Sequence, residues 1–235
     1  MSRAASMAPP IKGVIFDLDG TLIDSEPNYY ESDRLLLAEY GIAFSQADKR
    51  RYVGTGNNFM MEDLYRRYAL PDGPEVLLEE KNRLYMDLAR RHTALLPEMG
   101  RLLPGLHALG LPLAVASGSS PDVLRELLEQ TGILGYFSVL VSSEEVAKGK
   151  PAPDIFLETA RRMACTPENL VVLEDSVSGV LSGLAAGMRV VAIPGFPETP
   201  LEPEFERAHL LFRGGHGEFR AERFLSWLKE QGLST

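Results

Sequence analysis

The segment Ile11–Asp24, IKGVIFDLDGTLID, constrains this 235-residue chain more than any other stretch. Val14, Ile15 and Phe16 are β-branched or aromatic and read as a buried strand, and Gly20-Thr21 supplies the turn that ends it. Asp17 and Asp19 then fall at the strand's C-terminal end. In an open parallel α/β sheet that end is where ligands bind. Aspartate is common in turns, so the pair acquires meaning only if other segments deliver partners to it.

The pattern changes from strand to helix after Asp24. Ser25 is a plausible N-cap, Glu26 and Pro27 fill the first turn, and Gly41 supplies the stop. Helical patterns follow over Gln46–Tyr52, Asn57–Ala69 and Glu75 to about Thr93, with Gly54-Thr55-Gly56 read as a turn. No strand pattern lies between Ile42 and Leu95, so residues 25–94 read as an all-helical insertion.

From Leu96 onward strands and helices alternate. Strands are expected at Leu113–Ser117, Val139–Ser142, Leu170–Glu174, Val190–Ile193 and His209–Phe212. Helices are expected at Pro121–Gln130, Pro153–Met163 and Ser176–Ala186. Crossovers of this length give a doubly wound parallel sheet of the Rossmann-like α/β class. The chain therefore divides into a tail at 1–10, read as flexible, an α/β core at 11–24 and 95–235, and a helical cap at 25–94. At 45% hydrophobic residues it can bury a core of that size.

Three further segments end at the same edge of such a sheet. Glu174-Asp175 follows the apolar run Leu170–Leu173 and repeats the design of the first strand. Carboxylates gathered in one crevice repel and raise one another's pKa values unless a cation sits among them. Oxygen ligands with remaining positions open to water suit Mg²⁺. Asp17, Asp175 and the main-chain carbonyl of Asp19 are the expected ligands, with Glu174 in or beside that shell. Ser117, ending LAVAS, offers a hydroxyl, and the backbone N–H groups of Gly118 and Ser119 complete a phosphate cradle. Lys150, in KGKPAPDIF, can place a point charge between a phosphate and an attacking carboxylate, with Lys148 as competitor. Asp154 is a candidate cap for the helix that follows. The set describes a phosphoryl-transfer site.

Charge and cysteine count narrow the partners. A formal net charge of −9 opposes general binding to nucleic acid or anionic membrane, while a local cation and backbone N–H groups still admit a small anion. Cys165 is the sole cysteine, so no intrachain disulfide forms, which suits a reducing cytoplasm. His92, His107, His209 and His216 show no metal-ligand spacing. No run approaches the roughly 18 apolar residues of a membrane span. The expected partner is a small phosphorylated metabolite, and the expected state a monomer or small homo-oligomer.

DLDGT, LAVASGSS, KGKPAPDIF and LEDS, in that order over Ile11–Pro194, resemble the haloacid dehalogenase superfamily, in its phosphatase branch with a helical cap after the first motif. The resemblance implies that Asp17 is a nucleophile forming an aspartyl-phosphate and Asp19 the general acid/base. It implies that the cap closes over the site, with hinges at Asp24-Ser25 and about Thr93–Glu98, and that cap residues such as Tyr29, Asn57 and Asn58 set specificity. Met60 and Met61 read instead as the cap's own core. Within the branch the chain also resembles β-phosphoglucomutase, but Tyr29 stands where the mutases carry histidine, Asn57 or Asn58 where they carry arginine, and Ser120 where they carry lysine. Hydrolysis of small phosphate esters, sugar phosphates first, is thus the leading expectation. A phosphosugar mutase and a non-catalytic metal- or phosphate-binding regulator remain as alternatives.

Overall fold

The computed structural model describes residues 9–52, 57–197 and 200–233. The expected turn at Gly54-Thr55-Gly56 and the tail up to Ala8 lie outside them. Of that expected tail Pro9 and Pro10 are described, and their carbonyls accept hydrogen bonds from Arg189 Nη2 (2.6 Å) and Asn169 Nδ2 (2.5 Å).

Apolar runs bounded by turn residues set the elements, which in chain order are β1 (Gly13–Phe16), β2 (Ile23–Asp24), α1 (Glu26–Glu39), α2 (Gln46–Lys49), α3 (Asn57–Tyr68), α4 (Pro74–His92) and β3 (Ala94–Leu95). There follow α5 (Pro97–Ala108), β4 (Leu113–Ser117), α6 (Pro121–Gln130), β5 (Val139–Ser142), α7 (Asp154–Arg162), β6 (Leu170–Glu174), α8 (Val177–Ala185), β7 (Arg189–Ala192), β8 (Leu210–Leu211) and α9 (Ala221–Glu230). The chain divides into two compact units, one formed by the segments up to Ile23 and from Leu95 onward, the other by Asp24–Ala94.

The first unit is a six-stranded sheet in the order β5-β4-β1-β6-β7-β8, with all pairings parallel. β1, β4, β6 and β7 are buried along their whole length, as the unbroken apolar runs require. Ile15 pairs with Ala114 on one side and Val172 on the other, so the strand carrying Asp17 lies at the centre. Helices bury one stripe each: Leu124, Leu127 and Leu128 in α6, and Ile155, Phe156, Thr159 and Ala160 in α7.

Two helices carry weaker sequence signals than these. In α5 a proline at position 104 and glycines at 100 and 105 break the pattern, yet Met99, Leu102, Leu103 and Leu106 are buried. The short α9 buries Ala221, Phe224 and Leu228. β7 ends one residue before the expected Ile193, and β8 is confined to two residues, although Ile193 N still donates to Glu174 O (2.8 Å) and Phe212 N to Ala192 O (3.0 Å). Ser25 and Asp154 do not cap as expected. Ser25 sits in helical backbone without a side-chain cap bond, and Asp154 is already the first residue of α7, behind Pro153.

The second unit, α1 to α4, packs Leu36, Leu37, Phe44, Tyr52, Met60, Met61, Leu64, Leu70 and Leu77 into one cluster. Beside it Asp33, fully buried, takes Lys81 Nζ at 2.8 Å and Lys49 Nζ at 2.6 Å. Burial lowers the Lys81 pKa while Asp33 opposes that shift. This buried ion cluster has no counterpart in the sequence reading, because sequence alone did not show that α1, α2 and α4 meet at these positions.

Ile15→Ala is expected to lower the unfolding free energy by about 2–5 kcal/mol in urea titrations, as deletion of a closely packed aliphatic side chain does. Leu157→Ala, on the exposed side of α7, should change it by less than about 0.5 kcal/mol.

Candidate active site

β1, β4 and β6 are parallel neighbours, and so their C-terminal ends deliver Asp17, Ser117 and Glu174 to one edge of the sheet. Asp17 N donates to Leu173 O at 3.0 Å, which fixes the backbone of the first acid against β6. The loop between β5 and α7 brings Lys150 to the same place. Its Nζ lies 2.5 Å from Asp17 Oδ1, 2.6 Å from Glu174 Oε1 and 3.1 Å from the carbonyl of Ala116. The ammonium also stands 5.1 Å from the centre of the Phe156 ring, a cation–π contact.

Glu174 is buried and held from its other oxygen. Asp175 N (3.1 Å), Ser176 N (3.2 Å) and Ser176 Oγ (3.0 Å) all donate to Oε2. Ser176 in turn caps α8 by accepting from Gly179 N at 3.0 Å. A side chain at Gly179 would collide with the Glu174 carboxylate, so α8 can approach β6 only with glycine there. Gly20 carries the same requirement toward Asp175, and its φ of +75° also favours glycine.

Asp17, Glu174 and Asp175 each offer an oxygen within 4.8 Å of the others. Lys150 is the cation paired with two of them, while Asp175 takes the Thr21 hydroxyl at 3.5 Å and, among the described residues, stands in no ion pair. Burial is the largest cause raising the pKa of Asp17, to about 8, with Lys150 opposing and Glu174 adding to the rise. Burial likewise holds Asp175 well above its ordinary value, helped by Asp17 and Glu174. Burial alone would lower Lys150, but the two carboxylates more than reverse it and hold it above its ordinary value. Three crowded acids, two buried and one half-buried, therefore meet one ammonium that pairs with only two of them, and the donor set fits a divalent cation with oxygen ligands.

Asp19 adds a further negative charge beside that trio and raises the pKa of both Asp17 and Asp175. Its Oδ2 accepts from Ser119 Oγ at 3.1 Å, and its own strand turn pairs it with Ile23. Ser117 is fully buried and accepts from Ser119 N at 3.0 Å, so the Ser117–Ser119 loop curls on itself. Ser142 Oγ donates to Ser119 O (2.7 Å) and Ser143 Oγ to Gly118 O (3.0 Å), bracing the loop from β5. Ser142, Ser143 and Ser176 are absent from the expected set, and Ser119 figures in it through its amide rather than its hydroxyl. The signal available for them is small hydroxyl residues at strand ends, and that signal is common to many loops.

Tyr29, Asn57 and Asn58 belong to the helical unit. Tyr29 stacks on Tyr85 with ring centres 4.2 Å apart, Asn57 Oδ1 accepts from Lys81 Nζ at 2.8 Å, and Asn58 is exposed. Lys148, the competitor of Lys150, is exposed and forms no ion pair among the described residues.

Comparison with known proteins places these residues in a family. The haloacid dehalogenase-like hydrolase family matches residues 14–193. The bifunctional riboflavin kinase/FMN phosphatase of Arabidopsis thaliana is 36% identical over 84% of this chain, which spans only 52% of that protein. A phosphorylated carbohydrates phosphatase of Thermotoga maritima is 32% identical over 76% of this chain and 82% of its own length. The crystal structure of CbbY from Rhodobacter sphaeroides in complex with phosphate superposes with a TM-score of 0.74 at 27% identity, covering 88% of this chain and 96% of that one.

Stability should reveal the crowded acids. A carboxyl whose folded pKa is raised contributes stability that is complete below its unfolded pKa and is lost as pH rises through the folded value. With Asp17 raised from 3.8 to about 8, the metal-free protein is expected to melt at progressively lower temperature between about pH 5 and pH 8. Added Mg²⁺ should raise the melting temperature more at pH 8 than at pH 5. Thermal scans with and without chelator at both pH values check this. Gly179→Ala, which helix propensity alone would favour by about 1 kcal/mol, is expected instead to destabilise.

Proposed function

The chain belongs to the haloacid dehalogenase-like hydrolases, and from that premise we propose that it is a Mg²⁺-dependent phosphatase of small phosphorylated metabolites, sugar phosphates first. The observation that carries the reading is the Asp17 carboxylate gripped by Lys150 at 2.5 Å beside a second acid, Asp19, held by the Ser119 hydroxyl at 3.1 Å. One buried acid oriented by a cation suits attack on phosphorus. A neighbouring acid on a separate hydrogen bond suits proton transfer.

In the proposed reaction the Asp17 carboxylate attacks the phosphorus of the ester, forming an aspartyl-phosphate as the bond to the leaving oxygen breaks. Asp19 gives its proton to that oxygen and releases the alcohol. The Asp19 carboxylate then takes a proton from water, whose oxygen attacks the phosphoryl group, and inorganic phosphate leaves with Asp17 restored. The Ser117 hydroxyl and the Gly118 amide are assigned to the phosphoryl oxygens, while the Ser119 amide, which donates to Ser117 Oγ at 3.0 Å, orients that hydroxyl; Lys150 is the charge that steadies them. Asp17, Asp175 and Glu174, with the Asp19 carbonyl, would hold Mg²⁺, which when bound supplies charge neutralisation for the acids and the phosphoryl oxygens. Choice among esters is assigned to Tyr29, Asn57 and Asn58 of the helical unit.

Hydrolysis is favoured over transfer to a second sugar position by Tyr29. It stands where the mutases resembled here carry histidine, and its ring is stacked on Tyr85. Beside a full set of reacting groups the non-catalytic reading has no observation of its own. The phosphorylated carbohydrates phosphatase from Thermotoga maritima supports sugar phosphates as the first class to try.

Purified protein with Mg²⁺ is expected to release phosphate from a panel of sugar phosphates, phosphoglycolate and nucleoside monophosphates, and chelation should stop it. Asp17→Asn should abolish release, and Asp19→Asn should reduce it by about 10²–10⁴-fold. Glucose 1-phosphate with a bisphosphate primer should yield free phosphate faster than glucose 6-phosphate. Absence of phosphate release across the panel, or intact release by Asp17→Asn, would refute the proposal.

A further inference from the structure

His216 reaches from the far end of the chain to the first acidic loop. It sits on the short turn Gly215–Gly217, and its Nε2 lies 2.7 Å from the carbonyl oxygen of Gly20. A carbonyl only accepts, so Nε2 carries the proton and donates it. Gly20 is the residue after Asp19. Its amide donates to Ile23 O at 3.0 Å and its Cα lies against the Asp175 carboxylate. The amide, the Cα and the carbonyl of Gly20 are therefore each held, the carbonyl by His216.

The turn that carries His216 is itself held. Gly215 N donates to Phe212 O (2.8 Å), and Glu218 N (3.1 Å) and Phe219 N (3.0 Å) donate to Gly215 O. The Phe219 ring meets His216 edge-on, with centres 6.3 Å apart, and packs on Phe212 at 4.9 Å. Gly215 abuts the carbonyl of Pro194, and the next residue, Gly195, donates its N–H to Asp175 O at 3.1 Å. One short turn thus braces the loop of Asp19 directly and the backbone of Asp175 through Pro194-Gly195.

We propose that His216 is a positioning residue, whose Nε2–H···O=C bond to Gly20 holds the turn that sets Asp19 and the Asp175 carboxylate in register. This rests on the phosphatase reading for its kinetic consequences but not for its metal-binding ones. The imidazole also borders a cleft of about 420 Å³ lined by Leu96, Glu98, Arg101 and Arg220 among others. Truncating it opens space continuous with that cleft rather than a sealed cavity, so a folded variant is expected. Groups that orient metal ligands from one layer out typically contribute about 10–100-fold in metal affinity or activity.

His216→Ala, His216→Gln and wild type are to be compared in kinetics, in Mg²⁺ titrations of the melting temperature, and in the melting temperature without metal. The Gln carboxamide can place an N–H where Nε2 was. His216→Ala should lower kcat about tenfold or more with KM for the ester nearly unchanged, and raise the Mg²⁺ concentration for half-maximal stabilisation by about tenfold. His216→Gln should recover most of both. If wild type releases no phosphate, the phosphatase reading fails while the Mg²⁺ titration still decides this one. Wild-type kcat and Mg²⁺ dependence in His216→Ala would overturn the proposal. So would equal losses in His216→Ala and His216→Gln that merely follow a fall in melting temperature.

Discussion

The bridge from the Lys150 ammonium to Asp17 and Glu174 is the interaction on which the site depends. It ties the C-terminal ends of β1 and β6 to the loop before α7 through contacts of 2.5 and 2.6 Å. Removing one member of a buried ionic set leaves uncompensated charge and typically destabilises by about 3–5 kcal/mol. Glu174 passes the constraint onward, because its other oxygen organises Asp175, Ser176 and the start of α8. The first turn of a helix, the second acidic loop and the first acid are in this way positioned around one nitrogen.

That arrangement is not optimised for stability in the absence of metal. Burial raises the pKa of both Asp17 and Asp175, a sign that their charged forms are crowded. Sites that gather like charges store such tension and use it for binding or reaction. The sheet supports it because Val14, Ile15, Phe16, Val171, Val172 and Leu173 are fully buried in the strands beneath. A rigid apolar floor holds a polar rim that would otherwise separate. The helical unit uses a related device within its own core, where Asp33 holds Lys49 and Lys81.

Much of this was legible because strand ends carry information. A buried parallel strand is an apolar run, and its last residues must face the sheet edge, so DLD, ASGS and LED announced both fold and site. Lys150 was legible from its company: alone it is an ordinary lysine, and only three other strand or loop ends gave it a role. The Ser119 hydroxyl, Ser142 and His216 were not legible. Their contacts join residues 100, 23 and 196 positions apart, and nothing in a serine or an isolated histidine marks such a partner. Asp154 and Ser25 misled as caps because capping depends on backbone angles that residue type only biases. The pairing of Tyr29 with Tyr85 needed the crossing of α1 and α4 to be known first.

The central claim is that phosphoryl transfer passes through Asp17. It is tested most directly by acid quenching of Asp19→Asn with an aryl phosphate in the presence of Mg²⁺, followed by peptide mass analysis. An aryl leaving group needs little protonation, whereas hydrolysis of the intermediate needs the Asp19 base, so the phosphoenzyme should accumulate. The account predicts one phosphoryl group on the peptide containing Asp17, removed by hydroxylamine. Aryl alcohol release with no phosphoryl group on that peptide, or with the group on another residue, would contradict it.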